Sequence, residues 1–554
     1  MDSGFGKRFV SLLACLVFVA GLVVLMPRKG KAIPAFSRQY GTSCSTCHVD
    51  FPKLNDFGKA FKDAGFKFPK DDESYVKVQP VMLGAPASKE LFPKSIWPGT
   101  IPGIPQIGFR MNNFFQVMGR SANSFNVVNA LNASNGIPQY IPRTDFETGY
   151  FSLFSAGNFG SEIAFWVDDD ISVAGLNSNG ALGDAYLKFV DIGRFLKFPK
   201  DSLSLRAGQF ELDLPFTQAR TYNISGYDIY QEANIGAMNS MFSQQNVNNN
   251  FSFANAAQGI ELSGGHSYGG YHYSLAVVNQ NTSGVDQGSN TSPYVPSATG
   301  SSNGGVGFAS DANFKDLYGR LAYRFNLERD AASRNDVQAA GAMGPRDHTS
   351  LRFGTFYFYG RSVQRLLGAT SAAPTVVSTL LTAREPFYRV GGDISFNYRQ
   401  FNVYGLYMYG HDHNLLPIDA SGALIPLGNG TPLPVGFARG TAATFDGGFI
   451  QADYLALPWM MTMMRWDVVN SSADRINGLS GSTSGPFNAP FSSTRNRFSP
   501  GVQFLIHANI KASFEYEIRP PQAVLIVTNP STGLPMATNP FRTNAATVAL
   551  EFVY

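Results

Sequence analysis

The chain has little charge, little cysteine and little tryptophan. Only 15% of its 554 residues are Asp, Glu, Lys or Arg, against roughly 25% in soluble domains. The net charge of +3 excludes the basic excess that nucleic-acid binders display, and no nucleic-acid partner is expected. Three cysteines cannot build a disulfide framework. Against 4 Trp stand 46 Phe and 24 Tyr, an aromatic richness that excludes a disordered chain. A mean hydropathy of −0.09 excludes a bundle of membrane helices. One long apolar run is present, from Phe9 to Met26.

That run follows Lys7 and Arg8 and is succeeded by Pro27-Arg28-Lys29-Gly30-Lys31-Ala32. A basic start, an apolar core and a small residue at the end describe a secretory signal, so residues 1–32 are expected to be removed after Ala32. The alternative is an uncleaved anchor, because a run of this length can span a bilayer. Cys15 lies inside the run, which continues well beyond it, and this excludes lipidation there.

An exported chain then keeps two cysteines, in Cys44-Ser45-Thr46-Cys47-His48. Cys-x-x-Cys-His is the attachment signature of c-type haem. Two thiols at this spacing add to the two haem vinyls, and the adjacent imidazole of His48 then binds iron as the proximal ligand. A zinc knuckle would need two further nearby ligands, and the next histidine is His266. A thiol redox pair would need a βαβ context, which the surrounding sequence lacks. One covalent haem c is the expected cofactor.

After the motif, Phe51, Leu54, Phe57, Phe61 and Ala64 recur at helical spacing. Pro52 suits a first turn and Gly65 a C-terminal cap. Lys53, Lys59 and Lys62 lie on the more polar side and read as a solvated face or as a dock for an acidic group. Residues 33–68 are too few to bury a core alone. Residues 69–106 form a linker with seven prolines between Pro69 and Pro105 and no evident globular element.

Residues 107–554 read as sixteen segments of about 10 residues with period-2 alternation, the signature of transmembrane β-strands. They lie near 107–118, 146–155, 160–169, 182–190, 202–212, 257–264, 270–279, 316–326, 349–360, 387–397, 400–410, 445–455, 458–469, 497–507, 509–519 and 544–554. Long connections near 119–145, 213–256, 280–315, 361–386, 411–444, 470–496 and 520–543 alternate with short ones, 327–348 excepted. Bacterial outer-membrane barrels have long outer loops and short periplasmic turns, and an even strand count places both mature termini on the periplasmic side. The expected fold is all-β: an antiparallel outer-membrane β-barrel of about sixteen strands with a small N-terminal α-helical haem domain. The competing fold, a soluble sandwich or propeller, leaves the signal and the loop asymmetry unexplained. Parity places Arg110, Glu162, Asp184, Arg206, Glu261, Arg320, Arg324, Arg352, Asp393, Asp453, Arg465, Asp467, Lys511, Glu515 and Glu517 toward the lumen, with Met461 and Met463. A lumen of this size is wide enough to receive the haem domain as a plug.

Ala35-Phe36-Ser37-Arg38-Gln39-Tyr40-Gly41, the haem motif, and Pro52-Lys53-Leu54-Asn55-Asp56-Phe57-Gly58-Lys59-Ala60-Phe61-Lys62 resemble the start of fused outer-membrane cytochrome c–porins of iron-oxidising bacteria. Arg206-Ala207-Gly208-Gln209-Phe210-Glu211-Leu212 resembles a barrel strand of that family. The order of haem domain and barrel matches over the whole mature chain. The resemblance implies oxidation of extracellular Fe(II) and delivery of the electron to a periplasmic cytochrome or copper protein. Composition and periodicity show no iron chemistry. Two further readings stay open: a haem-bearing porin for solute diffusion or sensing, and a conduit for a donor other than iron.

Two further sets of residues are candidates. A thioether raises haem potential, so Met82 is the candidate distal ligand, with Met461 and Met463 as alternatives; Met otherwise fills space. Asp168, Asp169 and Asp170 end a strand running toward the outer rim and are candidates for Fe(II) capture, since hard cations take carboxylate oxygen. His411 and His413 open an outer loop with suitable chemistry too. Each cluster also reads simply as a hydrated strand end or loop.

Overall fold

A computed structural model gives the fold. It describes residues 35–69, 72–78, 81–82, 100–101, 107–118, 143–159, 162–171, 181–217, 223–231, 256–279, 315–327, 349–369, 377–413, 415–418, 420–423, 436–439, 442–471, 494–507, 509–519, 526–528, 535–537 and 544–554. The expected signal segment, 1–32, and the connection 327–348 beyond Leu327 lie outside the described residues.

Sixteen strands close into one barrel. In chain order they are β1 (Ile107–Met118), β2 (Arg143–Phe159), β3 (Ile163–Ile171), β4 (Ala181–Phe189), β5 (Ser204–Phe210), β6 (Ala257–Gly265), β7 (Gly270–Asn279) and β8 (Lys315–Asn326). The second half comprises β9 (Ser350–Ala369), β10 (Val377–Tyr398), β11 (Phe401–Asp412), β12 (Ala443–Leu457), β13 (Met460–Ser471), β14 (Thr494–His507), β15 (Ile510–Glu517) and β16 (Ala545–Val553). Every neighbour is antiparallel and consecutive, and β16 pairs with β1 to close the sheet, Val553 opposite Arg110. All sixteen expected strands are present. Closure leaves no edge with unpaired backbone, a condition for crossing hydrocarbon.

Alternation sets the two faces of the wall. On β8, Asp316, Tyr318, Arg320, Ala322 and Arg324 are buried, while Leu317, Leu321, Tyr323 and Phe325 are exposed. A slip of one residue would turn the arginines toward lipid, so the pattern fixes the register. On the outer face, aliphatic Leu275, Val277, Leu321, Ile394 and Ile450 lie between two aromatic groups. Tyr323, Tyr398, Phe401, Tyr454 and Trp459 ring the rim with short turns, and Tyr357, Tyr388, Tyr407 and Tyr409 lie toward the other rim. An apolar band between aromatic girdles is the outer face of an outer-membrane barrel.

The lumen candidates face inward with one exception. Glu162 sits in the turn before β3 and pairs with Arg194, both side chains being nearly half exposed; alternation does not hold in a turn. Two connections also differ from expectation. Residues 361–386 are largely strand, because β9 and β10 continue pairing out to Ala369 and Val377. The described part of 213–256, residues 213–217 and 223–231, folds into the lumen instead of outward. Tyr227 stacks on inward-facing Phe449 with ring centroids 3.8 Å apart, Arg497 and Arg519 each hold the Asp228 carboxylate at 3.0 Å, and Ile224 N–H donates to Glu515 at 2.9 Å.

Residues 35–69 occupy the lumen at the short-turn rim. Helices α1 (Ala35–Tyr40) and α2 (Asp56–Asp63) bury Tyr40, Phe57, Phe61, Phe66 and Phe68 against Ala156 and Ala164 of β2 and β3. The expected helix starts four residues later than Pro52, because Asn55 caps it: its side chain accepts the Gly58 N–H at 2.8 Å. Gly65 follows the helix with φ +79°, the left-handed conformation of a helix end that favours glycine. In the linker, a short helix (Asp72–Tyr75) and a pairing of Val81–Met82 with Thr100–Ile101 are present. Tyr40 OH binds Asp72 at 2.8 Å, so the first linker residues belong to the plug.

Candidate cofactor site

The motif residues are set by a tight turn. Cys44–Thr46 form one 3-10 turn, with Cys47 N–H donating to the Cys44 carbonyl at 3.1 Å. Three residues per turn brings the side chains at i and i+3 over one another, so the two thiols leave the same face. Neither is in a disulfide. Asn55 clamps this turn as well as capping α2: its Nδ2 donates to the carbonyls of Ser45 at 3.2 Å and Thr46 at 3.1 Å, and its backbone N–H donates to Cys47 at 2.9 Å. Gly58 is needed at the same place, since a Cβ there would lie 2.0 Å from the Cys47 carbonyl oxygen. Spacing alone does not single out Asn55 or Gly58; the signal that was available is an Asn three residues before a Gly at a helix start.

His48 is half-buried beside Phe51, with ring centroids 5.4 Å apart. Its Nδ1 lies 3.2 Å from the Pro52 carbonyl. A carbonyl only accepts, so Nδ1 carries the proton and Nε2 keeps the lone pair, the usual arrangement of a metal-binding imidazole. Burial pushes the His48 pKa down to about 4, with the nearby Lys511 cation acting in the same direction. Burial pushes the Cys47 thiol up to about 12 and raises Cys44 as well. A redox dithiol needs a lowered thiol pKa, so these two thiols are poorly suited to disulfide exchange. Two unpaired thiols on one face and a neutral imidazole with a free Nε2 are the donor set that a c-type haem requires.

The wall holds the plug from many sides. Asp56 meets Arg324 of β8 in a two-toothed pair, the second bond 3.0 Å long. Lys53 reaches Asp453 of β12 at 3.1 Å and Asn402 of β11. It is therefore neither a solvated lysine nor a dock for a mobile partner. Lys188 of β4 donates to the Asp63 carbonyl at 3.2 Å, and Lys511 of β15 donates to the Phe51 carbonyl at 2.8 Å. Phe66 packs against Trp166 of β3.

The remaining candidates are dispersed. Met461 and Met463 of β13 are buried in the lumen with Leu455, and Val49, next to His48, packs against them. Met82 pairs through its backbone with Thr100. Asp168, Asp169 and Asp170 lie on β3 toward the rim with long connections, where expected. Asp168 accepts the backbone N–H of Asp184, and alternation turns Asp169 to the other face of the strand. Among the described residues no three His, Cys, Asp or Glu side chains are grouped to hold a metal ion. His411 stacks on Tyr388 at 5.1 Å, and His413 meets it edge-on at 5.0 Å, within the outward-facing aromatic group.

No family model matches the chain, and none of the curated proteins matches it. Among solved structures, the barrel is similar to the outer-membrane protein OmpT of Vibrio cholerae, with a TM-score of 0.38, 8% identity and coverage of 82% of this chain and 98% of that one. It is also similar to Salmonella typhi OmpF in complex with daunomycin, with a TM-score of 0.37, 9% identity and coverage of 81% and 97%. Pseudomonas putida OprB gives a TM-score of 0.40, 8% identity and coverage of 81% and 94%. Likeness at this level adds nothing on function, and what stands is a closed, sixteen-stranded barrel of the outer-membrane type.

Proposed function

We propose that the chain is an outer-membrane electron-transfer protein: a porin-like barrel whose lumen carries one haem c, attached at Cys44 and Cys47 with His48 as proximal iron ligand. It would take electrons from extracellular Fe(II) and pass them to a periplasmic cytochrome or copper protein. The observation that carries this reading is the turn at Cys44–His48, which brings both thiols and the imidazole of the attachment signature into one tight segment and which the barrel wall anchors at its short-turn rim. When bound, the haem supplies one-electron chemistry. The protein's part is to hold the motif rigid through Asn55, to keep Nε2 of His48 available, and to tie the redox domain to a structure reachable from both sides of an insulating membrane. The export signal supports attachment outside the cytoplasm. Iron as donor rests on the sequence resemblance. Asp168, Asp169 and Asp170 remain a proposed capture site, with the carboxylates acting singly. As distal ligand, Met461 and Met463 have the advantage of proximity to Val49, and Met82 remains the alternative.

The visible spectrum of the purified protein before and after Fe(II) tests this reading. A covalently bound haem that Fe(II) reduces is expected; absence of haem, or a haem that only dithionite reduces, contradicts the haem or the iron part respectively. A second reading is favoured by the barrel itself, a polar lumen walled by sixteen strands: a porin for solute diffusion or sensing. Steady open-pore conductance of the intact protein in planar bilayers would favour it.

A further inference from the structure

The connection between β4 and β5, residues 190–203, is a shaped element and not a plain solvated turn. A 3-10 turn at Ile192–Leu196 is closed by the Phe198 N–H on the Gly193 carbonyl at 2.9 Å and by the Gly193 N–H on the Leu203 carbonyl at 3.3 Å. Asp191, Lys197 and Asp201 hold left-handed φ values of 53°, 60° and 60°, which cost energy in residues other than glycine. Asp191 uses its carboxylate on this frame, accepting the Asp201 N–H at 2.9 Å. The frame nevertheless turns its apolar side chains outward: Phe195 is 69% exposed, Leu196 61% and Phe198 52%. The whole stretch Arg194–Lys200 is exposed and carries the cations Arg194, Lys197 and Lys200 and no acid. The Arg194 guanidinium lies over the Phe195 ring at 5.1 Å. Exposed apolar side chains grouped in this way mark an interaction surface.

We propose that this turn is a membrane-surface anchor that binds the headgroups of anionic phospholipid at the short-turn rim. Its attachment to the wall points to lipid. Alternation turns Tyr271, Tyr273 and Leu275 of β7 to the lipid face, and the Tyr273 hydroxyl donates to the Ser202 carbonyl at 2.7 Å. The turn is thus tied to the outer side of the barrel, and its apolar side chains continue the aromatic ring of that rim beyond the strand ends. Apolar side chains in such a place enter the boundary between headgroups and acyl chains, and cations on the same segment meet the phosphates. Arg194 also pairs with Glu162, both side chains being nearly half exposed. An exposed pair is weak, and a guanidinium can hold a phosphate through two parallel hydrogen bonds. A soluble acidic protein would match the cations but not the attachment of the turn to the lipid side of the wall. The anchor requires the barrel alone and not the haem.

Brominated lipids, which quench indole fluorescence on contact, test this on the full chain in vesicles of phosphatidylcholine and phosphatidylglycerol in equal parts. Phe195→Trp supplies the reporter, with the wild-type signal of the 4 native tryptophans subtracted. Quenching is expected, and it should be stronger when phosphatidylglycerol carries the bromine than when phosphatidylcholine does. Adding Arg194→Gln, Lys197→Gln and Lys200→Gln should lower that preference severalfold, a single headgroup contact being worth roughly fivefold. All of these positions are exposed, so the barrel is expected to fold in each variant. Equal quenching by the two lipids, or a preference that survives loss of the cations, overturns headgroup recognition. An indole reached by iodide in the water and by neither lipid lies clear of the membrane, as it would on a docking face for a soluble protein, and overturns the anchor altogether.

Discussion

The lumen is filled twice, and the two fillings are built differently. The N-terminal plug has a core of its own: Tyr40, Phe57, Phe61, Phe66 and Phe68 pack on one another, and Tyr40 stacks on Phe68 at 4.1 Å. The inward segment 223–231 has one turn of helix, Asp228–Gln231, and takes its packing from the wall, where Tyr227 lies between Phe449 and Tyr404. A segment with its own aromatic core keeps its local geometry when one wall contact is lost. A segment that borrows its core does not. The plug is thus the place where a chemically exacting turn can be held, and the inward segment is a shaped part of the barrel.

The largest effect expected is at the motif. Cys44→Ala with Cys47→Ala should abolish haem staining that survives SDS, while the barrel still folds, since the plug–wall hydrogen bonds and ion pairs described above run through Lys53, Asp56, Asp63 and Phe51 and not through a thiol. Tyr227→Ala removes a fully buried ring and should cost about 3–5 kcal/mol locally. Hydrogen exchange should show lost protection over 223–231 and unchanged protection over 35–68; equal loss in both would end the contrast. Arg324→Met removes the two-toothed partner of Asp56, with Lys59 still 3.2 Å away. The cost should fall near the lower end of about 3–5 kcal/mol for a broken buried pair, read as raised conductance in bilayers when the plug loosens. Asn55→Ala removes the cap of α2 and should cost about 1–2 kcal/mol, seen as melting of the plug at lower temperature with the barrel transition unmoved.

The barrel was legible in the sequence because alternation is a local record of a global fact. Each strand, such as Lys315–Asn326, must present one face to lipid and one to the lumen, and that repeats every two residues. Cys44, Cys47 and His48 stand out in the sequence because attachment of a c-type haem would require this spacing. The inward course of residues 213–217 and 223–231 was not legible, since the partners Phe449, Arg465, Arg497 and Glu515 lie hundreds of residues away. The same holds for Asn55, whose clamp on Ser45 and Thr46 depends on the fold of the turn, and for Lys53, whose partner is Asp453. The helix start was misplaced because Pro52 is a common first-turn residue, whereas a side-chain cap at Asn55 decides the boundary. The three aspartates at 168–170 read as one cluster in sequence, whereas the strand that carries them turns the neighbouring Asp168 and Asp169 to different faces.

The most direct test of the account places the membrane between donor and acceptor. The protein is reconstituted into sealed vesicles with its long-connection rim outward, a redox dye that cannot cross the bilayer is trapped inside, and Fe(II) is supplied outside. Reduction of the trapped dye by the wild-type protein, and none by the Cys44→Ala, Cys47→Ala variant, is the result the account predicts. Equal reduction with both proteins would mean that solutes pass through an open pore, and no reduction with either would mean that no electron crosses; each contradicts it.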